Sequence, residues 1–473
     1  MKPQLVQGTR DFSPEEVNRR NYIFDSIKKV FIKFGYQPLE TPAMEGLETL
    51  TGKYGEEGDQ LLFKILNNGD FLKSSDLEQI RNYSLIDSNE SDSRLASRKK
   101  EKIAQNFAFN ICKRGLRFDL TVPFARYVVM NRNDIVLPFK RYQIQPVWRG
   151  DSPQKGRYRE FYQCDIDVVG SNSLMYEAEL LQIYDEVFSK LNIEVIIRFN
   201  NRKILEGMAA EAGFPDKFTD ITVAIDKLDK IGWDGVKKEL FEKGIDSDGF
   251  EKIKKITELQ NISDLKNCFS DNNQVGIKGV EEIEKVLSYL SGYSFKNNFK
   301  LDFSLARGLT YYTGGIFEVV VNTEFPGQEA VKMGSIGGGG RYDNLTGIFG
   351  WEGISGVGIS FGADRIYDVM LELNLFKALS ENSTELFFMA FDEASHIFAF
   401  NQVQKTRAAG INSDIYPEPA KFQKQMKYAD KRKFSTVVII GEEEMNTGLL
   451  TVKNMTDGSQ KKLTIEEVIS SFS

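Results

Sequence analysis

Apolar residues at Val17, Ile23, Ile27, Val30, Phe31 and Phe34 recur at helical spacing, so the chain is expected to open with an amphipathic helix. Its punctuation agrees. Ser13 is placed to cap the N-terminus, Pro14 suits the first helical position, Glu15 and Glu16 complement the positive end, and Gly35 closes the helix. An extended segment, YQPLETPAME, follows. From Asn67 to about Gln105 the texture turns polar. Seven serines fall between Ser74 and Ser97 among alternating charges, too few apolar groups to offset ordering, and a mobile insertion is expected at 67–105. Order is expected to resume at FAFNICKRGLRFDLTVPFARYVVMN. The strand-like runs KRYQIQPVWR and RYREFYQCDIDVVG, joined through GDSPQKG, read as a hairpin. Residues 200–293 are rich in Lys and Glu with amphipathic helical spacing, which predicts an inserted helical domain. Strand signals return at KNNFKLDFSLARG and GGIFEVVVN, ahead of GSIGGGGRYDNL and a strand leading into a helix at GVGISFGADRIYDVM. Beyond a polar linker around Glu381 to Thr384, the runs LFFMAF, HIFAFNQVQKTRAAG, INSDIYP, KFQKQMKYADKRK and STVVIIG alternate strand with helix. That alternation predicts a separate α/β domain at 384–473, with 1–383 as the larger domain.

Composition narrows the chemistry by exclusion. A length of 473 residues favours two or three domains. Lys plus Arg is 61 against 68 for Asp plus Glu, a net charge of −7, so no bulk positive field draws the chain to nucleic acid and any basic contact must be local. One local candidate is the helix KFQKQMKYADKRK, where Lys421, Lys424, Lys427 and Lys431 form a basic stripe and Phe422, Met426 and Ala429 an apolar one. The longest apolar runs, such as 437–440 and 317–321, fall far short of the roughly 18 residues that cross a bilayer. No membrane association is expected. The segment MKPQLVQGTRDF has no apolar signal core, so a cytoplasmic location is expected. Three cysteines without CxxC spacing argue against a disulfide scaffold or a zinc ribbon, and Cys112 and Cys164 are expected as buried thiols. The single histidine, His396, removes HExxH metalloproteases and any mechanism that needs two imidazoles; packing or exposure accounts for it, and no side chains are assigned to a metal.

Candidate chemistry concentrates on the hairpin. In its first strand Tyr142, Ile144, Pro146 and Trp148 share one face and Arg141, Gln143, Gln145 and Arg149 the other. In its second, Tyr158, Tyr162, Cys164, Ile166 and Val168 oppose Arg159, Phe161, Gln163, Asp165 and Asp167. One face is core. The other is either an ordinary solvated sheet face or a surface that holds a phosphate, an ammonium group and an aromatic plane, with Lys155 and Arg157 at the open end. Three glycine-rich segments fail known fingerprints. GLETLTGKY has five residues between its glycines and Tyr54 where a P-loop needs Ser or Thr; GVGISFG is one residue too long for a dinucleotide fingerprint; Gly337 to Gly340 match none. The run GGGG is either a linker or, as the structured look of the flanking SI and RYDNL suggests, backbone packed close to a ligand or a neighbouring strand. Arg365 falls in the first turn of the last helix of this half, where a guanidinium beside free N–H groups suits an anion, although position alone favours an ordinary surface arginine.

Together these segments resemble the class II aminoacyl-tRNA synthetases, and within them the histidyl-tRNA synthetases. TPAME, with Pro42, is similar to motif 1, FKRYQIQPVWRGDSPQKGRYREFYQCDIDVVG to motif 2 and GVGISFGADRIYDVM to motif 3. LARGLTYYTGGIFE and GGGGRYDNL resemble the two segments peculiar to the histidyl enzymes. The single histidine agrees, because class I synthetases need an HxGH pair. The resemblance implies an α+β fold: a six-stranded antiparallel sheet flanked by helices, an inserted helical domain, a C-terminal α/β anticodon-binding domain, and a homodimer built through motif 1. It implies ligation of L-histidine to tRNA(His) through a histidyl-adenylate, with ATP and Mg2+. Arg149 would clamp the α-phosphate, Phe161 would stack on adenine, and Arg157 and Arg365 would bind nucleotide phosphates. Asp119, Leu120, Thr121, Gln163 and Asp167 would receive the histidine ammonium, Tyr311 and Tyr312 would line the imidazole pocket, and Arg307 would hold the α-carboxylate and α-phosphate. The alternative within the resemblance is a catalytically altered pseudo-synthetase or regulatory paralogue, such as a regulatory subunit of ATP phosphoribosyltransferase, which typically lacks the anticodon domain; a rival from another class is a tRNA-binding module without catalysis. Thr310 departs from the Asp or Asn usual in the family.

Overall fold

The first helix, Pro14–Lys33, is closed at its start by a reciprocal capping box. The Ser13 N–H donates to Glu16 Oε2 at 2.7 Å, and the Glu16 N–H donates to Ser13 Oγ at 3.4 Å. Ile23, Ile27, Val30 and Phe31 are buried as the spacing predicts; Val17 is not, and Gly35 ends the helix at a φ of +81°. In this computed structural model residues 2–69, 71–72, 74–89, 93–306, 311–376 and 386–472 are described.

Two compact units emerge, residues 1–11 with 20–376, and residues 12–19 with 377–473. The first is organised on an eight-stranded sheet. Its six central strands, in spatial order Phe139–Trp148, Glu160–Val169, Gly356–Gly362, Gly337–Tyr342, Gly315–Val321 and Val195–Asn201, are antiparallel throughout. Gln37–Pro38 and Asn298–Leu301 add a parallel strand at each edge. Helix Met175–Lys190 covers one face, with Tyr184 and Phe188 packed on Phe361 at ring-centroid distances of 4.8 and 5.6 Å. On the other side Tyr54, Phe118, Val122, Phe124, Val128 and Tyr342 form a second apolar cluster beneath helix Thr121–Met130.

The glycine run is a central strand, not a linker. A Cβ on Gly339 would lie 2.2 Å from the Gly358 carbonyl oxygen, and one on Gly358 would lie 2.0 Å from Asp167 Oδ1. The neighbouring strands therefore exclude side chains at these positions.

Segment 67–105, expected as a mobile polar insertion, carries two helices among its described residues: Ser74–Asn89 and Ser93–Ile111. The second already runs through the FAFNIC segment. The physical reason is that helix hydrogen bonds are local. A stretch rich in Arg, Lys, Glu, Gln and Leu satisfies its backbone without a core, and Leu77, Ile80 and Tyr83 stay exposed. The ends of the excursion meet at Asn67, whose N–H donates to the Ile111 carbonyl at 2.8 Å and whose Oδ1 accepts the Lys113 N–H at 2.9 Å.

Region 200–293 is helical as expected, with Arg202–Glu211, Phe218–Ile225, Leu228–Glu242, Ser247–Thr257, Ile262–Lys266 and Gln274–Leu290. Asn201, Asp246, Asn261 and Asn273 cap four of these helices through side-chain oxygens.

In the second unit Ser413–Ile415, Leu386–Ala390 and Thr436–Ile440 pair in parallel, and Leu450–Asn454 and Gln460–Leu463 extend the sheet antiparallel. The alternation of strand and helix is observed. Helix Phe422–Lys431 differs from the expected stripes in one respect: Phe422 is exposed, and the residue facing inward beside Ala429 is Gln425. Its amide accepts the Ala390 N–H at 3.2 Å and donates to the Ala390 carbonyl at 2.7 Å, so a polar side chain fills an apolar position without an unmet hydrogen bond. The expected linker at Glu381 to Thr384 lies outside the described residues. Among the described residues no helix is long and apolar enough to cross a membrane.

Candidate active site

Alternation along the hairpin places Arg141 opposite Asp167, Gln143 opposite Asp165, Gln145 opposite Gln163, and Val147 opposite Phe161. This polar face is not solvated. Arg141 and Gln143 are 0% exposed and Asp165 and Asp167 2%. A buried charge needs a partner. Arg141 pairs with Asp167 Oδ2 at 2.7 Å, donates to the Leu120 carbonyl at 3.2 Å, and lies 4.3 Å from the centre of the Phe124 ring. The Tyr342 hydroxyl donates to the other oxygen of Asp167 at 2.7 Å.

A second carboxylate enters from the start of helix Thr121–Met130. Asp119 Oδ1 accepts the Tyr54 hydroxyl at 3.0 Å and the Val122 N–H at 3.1 Å, while Oδ2 accepts the Tyr311 hydroxyl at 3.2 Å. Asp119, Thr121, Arg149, Gln163, Asp165 and Asp167 converge on one cleft with about 360 Å³ of empty space. Tyr311, Tyr312, Tyr342, Ser360 and the bare backbone of Gly338, Gly339 and Gly358 complete its wall.

Burial raises all three carboxyl groups. For Asp119 the Val122 N–H and Arg149 oppose the shift; for Asp167 Arg141 and the Tyr342 hydroxyl do. Asp165 is pushed up to about 7, by burial first, with Arg141 opposing and Asp167 adding repulsion. Tyr311 and Tyr312 stay protonated, their phenols raised by burial and by the nearby carboxylates. Three buried acceptors of the cleft, Gln163 Oε1, Asp165 Oδ1 and Asp167 Oδ2, have no hydrogen-bond donor, the last being held by charge at 2.7 Å from Arg141. The cleft is thus an acidic, donor-poor enclosure suited to a cation with several N–H groups.

At the neighbouring turn, Arg149 donates through Nε to the Phe118 carbonyl at 3.1 Å and lies 4.3 Å from the Phe118 ring centre and 5.2 Å from that of Phe161. Arg365 donates to the carbonyls of Gly156 and Ser335 at 2.7 and 2.5 Å. Arg157 is exposed on the turn, 3.7 Å from Asp151. Of the residues singled out from sequence, Asp119, Thr121, Arg149, Gln163, Asp167, Tyr311 and Tyr312 meet in the cleft; Phe161, Arg157 and Arg365 stand outside its wall, and the Leu120 side chain is in the core. Arg307 and Thr310 lie outside the described residues. Asp165, Ser360, Tyr342 and Arg141 were not singled out. Strand alternation already put Arg141 and Asp165 on the polar face, but the motif match selected only Gln163 and Asp167 from it. Ser360 and Tyr342 come from strands whose glycines dominate their patterning.

Cys112 and Cys164 are buried. His396 is half-buried, its Nε2 2.9 Å from the Tyr416 carbonyl oxygen. Among the described residues no three His, Cys, Asp or Glu side chains are grouped to hold a metal ion.

Comparison with known proteins agrees with this geometry. The family model described as "Histidyl-tRNA synthetase" matches residues 94–366, and an "Anticodon binding domain" model matches 389–473. The chain is similar to proteins named histidine–tRNA ligase from Bacteroides fragilis, 53% identical over 100% of this chain and 99% of the relative, and from Porphyromonas gingivalis, 50% identical over 98% and 97%. Among solved structures, that of histidyl-tRNA synthetase from Nostoc sp. PCC 7120 matches with a TM-score of 0.78 at 29% identity, covering both chains in full. A buried acidic cleft on an antiparallel sheet, family models in both units, and full-length relatives at half identity converge on one statement: the chain belongs to the histidyl-tRNA synthetase family.

Proposed function

We propose that the chain ligates L-histidine to tRNA(His) in two steps, forming histidyl-adenylate from ATP and then transferring the histidyl group to the tRNA. The observation that carries this reading is the enclosure of Asp119, Asp165 and Asp167 with Gln163, Tyr311 and Tyr312, a cleft that fits an amino acid's ammonium group and a nitrogenous side chain. The ammonium is received by Asp119, Thr121, Gln163 and Asp167, with Leu120 contributing its place beside them, and the imidazole lies against Tyr311 and Tyr312.

Adenylate formation requires the histidine carboxylate to attack the α-phosphorus, so two anions must approach. Catalysis is then positioning and positive charge, and no protein nucleophile is called for. Arg149 supplies charge at the α-phosphate, and its stacking between Phe118 and Phe161 orients the guanidinium for that task. Phe161 meets the adenine plane, Arg365 and Arg157 meet the outer phosphates, and Arg307 holds the carboxylate against the α-phosphate. Mg2+ would arrive with the nucleotide phosphates; among the described residues no three His, Cys, Asp or Glu side chains are grouped to hold it. The protein acts in the cytoplasm as a homodimer. Exposed Met44, beside Glu45 and its ion pair with Arg126, and exposed Met130 at the end of the same helix favour a covered face at motif 1.

In the second unit, exposed Phe391 and Phe422 lie 6.3 Å apart beside exposed Lys421 and Lys424, a combination of stacking and positive charge that suits single-stranded anticodon bases.

Amino-acid-dependent ATP–pyrophosphate exchange across all twenty amino acids tests the reading. Histidine alone should support exchange, because a pocket built to hydrogen-bond an imidazole rejects side chains that leave its polar groups unpaired. Comparable exchange with phenylalanine or glutamine would remove the assignment.

A further inference from the structure

The segment GGGGRYDNL sends one side chain, Tyr342, to the cleft, where it meets Asp167. Its neighbour Arg341 turns to the opposite face of the sheet, as alternation requires, and binds helix Met175–Lys190 there. Arg341 is 4% exposed, and its Nε and Nη2 donate to the two oxygens of Glu177 at 2.5 and 2.7 Å. Its Nη1 donates to Ser355 Oγ. The Ser355 hydroxyl in turn donates to Asp343 Oδ1 at 2.6 Å, and the Thr313 hydroxyl donates to Asp343 Oδ2 at 2.7 Å. Thr313 also accepts the Asp343 N–H on its hydroxyl oxygen at 3.1 Å and gives its own N–H to the Arg341 carbonyl at 2.8 Å. A hydroxyl has one proton to give. Both hydroxyls already accept from a fixed donor, so each proton goes to the Asp343 carboxylate; for Thr313 the other acceptor, the Arg341 carbonyl, is farther away at 3.4 Å.

Thr313 directly follows the two tyrosines of the cleft. Tyr312 lies on the bare backbone of the strand, where a Cβ on Gly340 would come within 2.7 Å of its ring, and the Tyr311 hydroxyl reaches Asp119 Oδ2 at 3.2 Å. The two rings meet edge to face with centroids 5.1 Å apart. We propose that Asp343 is a positioning residue for histidine binding: held from behind by Arg341 and Ser355, it fixes Thr313, and with it the tyrosine pair against which the imidazole lies. This inference deepens the ligase reading above and rests on it. Asp343 is not part of the cleft wall and need not touch the ligand. It anchors one end of the segment that does, and a pocket is only as well formed as the contacts that lock its lining. A carboxylate is needed for this, because an amide at 343 would set an NH2 against one of the hydroxyls and leave that proton without an acceptor.

Pyrophosphate exchange with the full chain tests the role. Thr313→Val keeps the shape of the side chain and removes its hydroxyl; Asp343→Asn keeps the shape and removes the second acceptor. Each should raise the KM for histidine about tenfold, the fold-change of one hydrogen bond to a charged group, while the KM for ATP stays within about twofold of the parent. Inhibition by histidinol, which keeps the ammonium and the imidazole but lacks the reacting carboxylate, should weaken by the same factor, since the pocket rather than the chemistry has changed. Thr313→Ser retains the hydroxyl and should restore a histidine KM within about twofold of the parent. Thr313→Val combined with Asp343→Asn should be no worse than the worse single variant, because both remove one contact. An unchanged histidine KM in Thr313→Val and Asp343→Asn, an equal rise in the KM for ATP, or additive penalties in the double variant overturns the positioning role and leaves the ligase assignment standing. Absence of histidine-dependent exchange in the parent chain overturns the ligase assignment and the positioning role with it.

Discussion

Two guanidiniums serve three buried carboxyl groups: Arg141 pairs directly with Asp167, and Arg149 opposes the shift on Asp119 from the cleft wall. Asp165 has no such direct partner, and burial first, with repulsion from Asp167 added, pushes its carboxyl up to about 7. The groups facing it are Arg141 on the adjacent strand, Asp167 on its own, Asp119 from the helix start, and the phenols of Tyr184 and Tyr312. Because its folded pKa lies above the unfolded value near 3.8, the contribution of Asp165 to stability is complete below about pH 4 and is lost as pH rises toward 7. Asp165→Asn should therefore flatten the decline in chemical-denaturation midpoint between those limits. Arg149→Ala should lower the exchange rate at least about tenfold through loss of a charge-assisted contact that strengthens in the transition state, measured at saturating histidine and ATP. Residue identity made Arg149, Gln163 and Asp167 legible in the sequence. The partners that set their electrostatics were not, because Tyr342, Ser360 and Tyr54 reach the cleft from strands and helices remote in sequence.

At the scale of elements, patterning was informative wherever period and punctuation agreed. Ser13, Pro14 and Gly35 bounded the first helix, and alternation in the hairpin separated its two faces correctly, yet alternation could not say that the polar face would be covered. That depended on strands Gly337–Tyr342 and Gly356–Gly362 lying alongside, which no local pattern announces. The helices Ser74–Asn89 and Ser93–Ile111 were missed for the opposite reason: judging order by buried apolar area overlooks elements held by their own backbone. Close strand packing gives a further test. Since a Cβ at Gly358 would fall 2.0 Å from Asp167 Oδ1, Gly358→Ala should displace that carboxylate from Arg141 or Tyr342. Overpacking of this kind costs about 1–3 kcal/mol, so thermal denaturation should reveal a lower midpoint together with a raised KM for histidine.

For the molecule as a whole, a chain of net charge −7 must meet an RNA partner through local charge. Lys424, Lys427 and Lys431 are exposed on one helix and Lys421 is exposed at its N-cap, with Lys424 3.3 Å from Glu418. Lys424→Glu with Lys427→Glu should weaken tRNA binding, with a shallower dependence on salt concentration, while leaving histidine-dependent exchange unaltered; filter binding at several ionic strengths measures the first and exchange the second. The clasp at Asn67 bears on the molecule differently. The chain departs from strand Lys64–Ile65 and returns at Arg114–Leu116, its immediate antiparallel neighbour, so everything between is topologically the loop of a hairpin. The entropy of closing a loop grows only with the logarithm of its length. Residues can accordingly be gained or lost between Asn67 and Ile111 without altering the distance the rest of the chain must span or the register of the sheet beneath.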